Sequence, residues 1–176
     1  MSARKLLHTG RNPTADLIVT RTWNDQMQLL LIRRSAQANT EAGKLALPGG
    51  FVEGITAADN SWQKGDESYL LAAVRELNEE TGLDLSSLDE NAFRLIGIFD
   101  APFRDPRNTS DAWTESHVFH YHLHDDTDHH VTGGDDAEDA AWFSINEILA
   151  LEKKSFAFDH FEILDDHGFL QNSTSQ

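Results

Sequence analysis

The chain has 176 residues, 30 acidic against 14 basic side chains for a formal net charge of -16, and no cysteine. That length suits one domain with a full-sized core, and the charge argues against nucleic acid or an anionic membrane surface as a partner. The absence of cysteine excludes disulfides and thiolate metal sites and fits a cytoplasmic protein; no apolar run approaches the ~20 residues needed to cross a bilayer, and residues 1–10 show no apolar signal-peptide core.

In chain order, residues 1–14, polar with Gly10 and Pro13, read as an arm of little structure. Residues 16–20 form a short strand, 23–26 a turn, and 27–34 a second strand. Its run Leu29-Leu30-Leu31-Ile32 predicts burial on both faces, and the two strands make a hairpin. Residues 37–43 are a polar loop. A short extended piece, 44–47, ends at Pro48-Gly49-Gly50, a turn signal that brings bare backbone close to something. Residues 55–66 read as a surface loop. Asp66 or Ser68 caps a helix that runs to about Thr81 and stops at Gly82. Leu70, Leu71, Val74 and Leu77 form its apolar stripe, facing a sheet.

Residues 93–100 are a strand, and 101–114 a long loop. Residues 117–124 alternate strictly, with Phe119, Tyr121 and Leu123 on one face and His120, His122 and His124 on the other. Three imidazoles at period two have metal-ligand chemistry, but they read as the wet face of a strand and stay outside the site. Residues 125–138 are an acidic loop, 140–143 a strand, and Ser144 caps a helix over 145–151. A last helix covers 156–166, and 171–176 are a polar tail. The pattern is α+β: one domain over residues 15–170, with a mixed sheet clamped between helices.

Opposite the leucine stripe, Glu76, Glu79 and Glu80 fall at i, i+3 and i+4 on one helical face. Like charges so close repel, and a hard divalent cation such as Mg²⁺ turns that repulsion into attraction. A bound cation also answers how so acidic a chain would accept an anionic substrate.

Gly50, Glu67 and Arg75-Glu76-Leu77-Asn78-Glu79-Glu80-Thr81-Gly82-Leu83 resemble the Nudix box, G-x5-E-x7-R-E-U-x-E-E-x-G-U, where U is aliphatic. From Glu67 onward every fixed position agrees. Before it, Glu67 follows Gly50 by 17 positions (67 minus 50) where the pattern expects six, so about eleven residues are inserted. A second segment, Asp105-Pro106-Arg107-Asn108-Thr109 through Glu115, is similar to one in ADP-ribose pyrophosphatases of the animal mitochondrial type and in the ADP-ribose-sensing domain of a related cation channel. Gly134-Asp135-Asp136-Ala137 and Ala141-Trp142 are similar to a later motif of the same proteins. Ala157-Phe158-Asp159-His160 resembles the last helix of many Nudix proteins acting on NAD-related compounds.

The resemblance implies a Nudix-like α/β/α sandwich that hydrolyses ADP-ribose to AMP and ribose 5-phosphate with Mg²⁺, or Mn²⁺ in its place. Alternatives are another nucleoside diphosphate derivative, such as NADH or a dinucleoside polyphosphate, or a non-catalytic ADP-ribose sensor. Glu76, Glu79 and Glu80 would hold the cation, with the carbonyl of Leu47 as a further oxygen. Arg75 would orient Glu79 and the glycine turn. The base would be Glu79 or an acid of the late loop: Asp135, Asp136 or Glu138. Arg104, Arg107, Trp113, Phe51 and Gly50 are the candidates for substrate contact, the arginines as cations and the aromatics as stacking surfaces. The partner is a small nucleoside diphosphate; the sequence leaves the oligomeric state open, with a homodimer as one option.

Overall fold

Leu17-Ile18-Val19 and Leu29-Leu30-Leu31-Ile32 lie at the centre of a seven-stranded mixed sheet, and all seven are buried. The structure, a computed structural model, describes residues 6–124, 128–135 and 137–171. Strand β1 (Gly10–Trp23) and β2 (Gln26–Arg34) form an antiparallel hairpin with Thr20 opposite Leu29. Asn24 and Asp25 both take left-handed backbone, φ 49° and 59°, as a two-residue hairpin turn requires. After β3 (Leu45–Ala46), β4 (Gly49–Phe51), β5 (Gly54–Thr56) and β6 (Trp62–Lys64) comes helix α1 (Tyr69–Thr81). Then follow β7 (Arg94–Phe99), β8 (Ala112–Leu123), β9 (Ala137–Ser144), α2 (Ile145–Leu149) and α3 (His160–Asp166).

β8 runs parallel to β1 over nearly its whole length, β7 closes that side, and β9 lies along the outer edge of β2. Beyond the hairpin turn β1 and β2 part. β4 pairs with β1 (Ala15 opposite Gly50) and β3 with β2 (Ile32 opposite Ala46), so residues 45–51 wedge between the two central strands.

Alternation divides the apolar runs between two cores. Ala15, Leu17, Val19 and Leu30 pack with Ala72, Ala73, Val74 and Leu77 of α1. Ile18, Leu29, Leu31 and Val118 pack on the other face with Ile145 and Ile148 of α2 and Ile163 and Leu164 of α3. The expected α/β/α sandwich is therefore present. No helix among the described residues is long and apolar enough to cross a membrane.

Several sequence expectations are corrected. The arm over 1–14 ends early, because the strand begins at Gly10, where pairing with Ala112 satisfies its backbone; Asn12 is fully buried and bonds the carbonyls of His8 and Gly10. The presumed loop 55–66 is a small hairpin, β5 on β6, because Gly54–Thr56 and Trp62–Lys64 satisfy each other's backbone locally. Ser68, not Asp66, caps α1, accepting from the Leu71 N–H at 3.1 Å. Leu71 is 51% exposed, while Ala72 and Ala73 are buried: the stripe is rotated so that small residues meet the sheet. α2 stops at Leu149. α3 starts at His160 rather than Phe156, because Phe156 bridges to Leu45 and Phe158 adopts φ 55°. His120 and His122 are half-buried, sharing Thr20 Oγ1 at 2.8 and 2.9 Å, so only His124 of that row is fully wet. Of the polar tail, 172–176 lie outside the described residues.

The rotation of α1 is testable by denaturant unfolding. Leu77→Ala is expected to cost about 2–5 kcal/mol and Leu71→Ala less than about 1 kcal/mol; equal losses would contradict the observed face.

Candidate active site

The box residues are assembled by one guanidinium. Arg75 donates from Nε to Glu67 Oε1 (2.8 Å), from Nη1 to Glu76 Oε1 (2.8 Å) and Glu79 Oε2 (3.1 Å), and from Nη2 to the Phe51 carbonyl (3.0 Å). Glu67 Oε2 also accepts the Glu53 N–H at 2.6 Å. Burial raises the Glu67 carboxyl, but the bonds from Arg75 and from the Glu53 N–H together outweigh it and leave the group below its ordinary value. The inserted hairpin therefore does not displace Glu67 from the clamp, since Glu53 and Glu67 flank it and bond across its base.

Glu76, Glu79 and Glu80 do not share one environment. Glu80 is 3% exposed and accepts the Gly49 N–H at 2.9 Å; burial pushes its carboxyl well above the ordinary range. Glu76 is half-buried and raised by burial, with Arg75 opposing. Glu79 is exposed, held by Arg75, and outside the cleft wall. Gly50 lies so close that a Cβ there would collide with the Glu76 carboxylate, and one at Gly49 would strike Asp16. The glycine pair is thus a cradle against carboxylates rather than a simple turn.

Glu76 and Glu80 line a cleft of about 230 Å³ to which distant segments contribute. The loop over 101–111 brings Arg104, Asp105 and Arg107. Arg104 is 4% exposed, paired bidentately with Asp159 (3.0 and 2.9 Å) and bonded to Thr114. Arg107 is paired with Asp105 (2.6 Å) and lies over Phe51 and Phe158, 5.3 and 5.7 Å from their ring centres. Asp105 also takes the Arg107 N–H, and Asn108 takes the Thr114 N–H at 2.9 Å, so Asp-Pro-Arg-Asn folds the loop onto β8 by side-chain bonds. The late loop is fastened to the end of α1: Gly134 N–H bonds the Glu80 carbonyl and Thr132 N–H that of Thr81, both at 3.1 Å. This sets Asp135 in the cleft wall, near enough to raise Glu76.

Other candidates lie elsewhere. Glu138 accepts the Ala36 N–H at 3.2 Å and does not line the cleft; Asp136 is outside the described residues. Trp113 is at the surface beside Gly10 and does not line it either. The Leu47 side chain is buried, and its N–H donates to Nδ1 of His160, a residue of the cleft wall, at 3.0 Å. Phe51 and Gly50 line the cleft. Sequence reasoning missed Asp16, Arg34 and His160 there. Asp16 is buried, raised by that burial, and accepts from the Ser116 hydroxyl. His160 is buried and neutral, its pKa lowered to about 4 by desolvation. Because Nδ1 accepts a bond, the proton sits on Nε2, 3.8 Å from Asp16 Oδ1. Nothing in a lone Asp on β1 marks it; His160 was visible only through its resemblance segment.

Among the described residues, no three acidic or imidazole side chains form a ready-made cation cage. The donor set still fits a hard divalent cation. Glu76 and Glu80 offer carboxylate oxygen in a partly desolvated cleft that also holds Asp16, Asp105 and Asp135, and Mg²⁺ commonly takes one or two protein carboxylates and completes its shell with phosphate and water.

A mixed sheet between helices, opened at residues 45–51 over a clamped Arg-Glu helix, is the architecture of the Nudix family. The chain belongs to it: the family model for the NUDIX domain matches residues 11–166. It is 33% identical over 150 residues to a putative Nudix hydrolase 6 of Caenorhabditis elegans, covering 83% of this chain and 53% of that protein. It is 31% identical over 173 residues to the mitochondrial ADP-ribose pyrophosphatase of Rattus norvegicus, covering 81% and 44%. The chain thus spans about half the length of these relatives. Among solved structures, the bifunctional NMN adenylyltransferase/ADP ribose pyrophosphatase of Francisella tularensis, complexed with AMP and a Mn ion, is similar with a TM-score of 0.65 at 26% identity, covering 93% of this chain and 44% of that one.

Gly50→Ala should leave the circular dichroism spectrum intact and weaken Mn²⁺ binding, read by electron paramagnetic resonance titration, by about tenfold or more, since Glu76 must move; unchanged binding would remove Glu76 from the cation site. A second test uses pH. Unfolded His160 takes up its proton near 6.5 and the folded residue only near 4. The unfolded chain therefore binds more protons between these values, and stability present above 6.5 is lost as pH falls towards 4. Replacement of His160 by Gln should flatten that slope in urea titrations.

Proposed function

We propose that the protein is a divalent-cation-dependent pyrophosphohydrolase that splits ADP-ribose to AMP and ribose 5-phosphate. The observation that carries this reading is the single cleft shared by Glu76 and Glu80 of α1 and by Arg107 of the 101–111 loop. The names of the rat and Francisella relatives support the choice of ADP-ribose. A cation held by Glu76 and Glu80 would neutralise phosphate charge and acidify a bound water.

The chain's own residues supply the rest. Arg107, fixed by Asp105 and backed by Phe51 and Phe158, presents planar positive charge to a phosphate. Arg104, already paired, holds the loop and contributes field rather than contact. Water attacks phosphorus, the bridging P–O bond breaks, and Asp135 takes the proton; it is the one described late-loop acid of the three candidates that lines the cleft. Glu79, tied to Arg75 at the surface, orients the clamp. The partner is a small nucleotide.

The test is phosphate release after coupled phosphatase treatment across ADP-ribose, NADH, FAD, diadenosine polyphosphates and deoxynucleoside triphosphates, with Mg²⁺ or Mn²⁺. ADP-ribose should rank among the better substrates, and its absence from them sinks the reading. Glu80→Gln should lower kcat by about a hundredfold or more. Asp135→Asn should cut kcat while leaving KM within about threefold; an undiminished kcat returns the base to Glu79.

A further inference from the structure

The insertion between Gly50 and Glu67 has no part in the clamp beyond its base, yet it builds a cavity. Three cavities meet at Phe51. One is the cleft. The second, about 350 Å³, is walled by Arg34, Ser35, Gln37, Asn39 and Thr40, hydroxyl, amide and cationic groups suited to sugar oxygens. The third, about 320 Å³, lies between the β5–β6 hairpin and the segment leading into β1, and its wall is largely aromatic and apolar: Trp62, Phe51, Pro13, Leu7 and His8. The two sides are joined by bonds. Thr9 N–H donates to the Asn60 carbonyl at 2.9 Å and Asn60 Nδ2 to the Leu7 carbonyl at 3.3 Å. Gly54 makes room for the indole, since a Cβ there would collide with Trp62 Nε1. Arg11 lies 5.7 Å from the indole centre.

Trp62 Nε1 and His8 Nδ1 are both buried, and Nε1 lies against the Gly54 backbone, so what these residues offer the cavity is ring surface. A flat aromatic ring is the ligand chemistry that such a wall takes, and in a nucleoside diphosphate that ring is the nucleobase.

Resting on the reading of a nucleoside diphosphate substrate, we propose that the inserted hairpin makes the third cavity a nucleobase subsite. Trp62 and Phe51 supply its aromatic wall, and the phosphates cross Phe51 towards Glu76 and Glu80. The sugar phosphate of the other half takes the polar cavity beside Thr40.

The test titrates the full chain, in Mg²⁺, with AMP and with ribose 5-phosphate. Neither contains a pyrophosphate bond, so binding is read without turnover. Trp62→Ala should weaken AMP binding by about tenfold or more, the scale of losing one base–aromatic stack, and leave ribose 5-phosphate within about twofold. AMP affinity unchanged, or both ligands weakened alike, overturns the subsite. Should Trp62→Ala fail to fold, the wild-type indole N–H resonance assigned by its absence in Trp62→Phe is followed instead. It should shift with AMP and not with ribose 5-phosphate, and a fixed resonance overturns the proposal. A chain that binds AMP through Trp62 but hydrolyses none of the panel keeps the subsite and overturns the reaction. ADP-ribose hydrolysis without Trp62-dependent AMP binding does the reverse.

Discussion

Everything in the cleft depends on the Arg75 guanidinium. Glu67, Glu76 and Glu79 converge on it, and its remaining N–H reaches the Phe51 carbonyl of β4. Without a cation at that point, carboxylates brought so close in a chain of net charge -16 would repel. With it, the second half of α1, the strand that closes the cleft and the residue after the insertion are tied together. Bidentate geometry makes arginine rather than lysine suited to this task, because a planar fork can meet several oxygens at fixed angles.

The second constraint is the parting of β1 and β2. The hairpin turn holds them together at one end, while residues 45–51 wedge them apart at the other. That gap lets Gly49 and Gly50 approach Glu80 and Glu76 through bare backbone. It also opens the floor where Asp16, His160 and the Arg104–Asp159 pair are buried. These polar groups are paired, as burial demands, and they draw β1, the 101–111 loop and the start of α3 to one place.

The carboxylate face of α1 was legible because helical period and a capped length leave little choice of geometry. The apolar face was legible only roughly. Reading by hydrophobicity favours Leu70 and Leu71, whereas close helix-to-sheet packing favours Ala72 and Ala73, and packing won. The hairpin at 54–64 left no trace in apolar alternation, since it is mostly exposed and held by local backbone bonds. The late loop was legible as acidic, but which acid faces the cleft follows from its bonds to the Glu80 and Thr81 carbonyls, contacts that composition cannot encode.

By itself the sequence determined the strand runs, the helix with its clamp residues at fixed spacing, and membership of the Nudix family. Those features are local: periodicity and short-range spacing set them. The tertiary structure alone decided that Arg104 pairs with Asp159 and Arg107 with Asp105 in one cleft wall, that Trp113 lies outside it while Trp62 lines a neighbouring cavity, and that Asp135 rather than Glu138 shares the cleft with Glu76. Each of those depends on which segments distant in the chain meet across the sheet. That is settled by the packing of two cores and the pairing of buried charges, not by any neighbour in sequence.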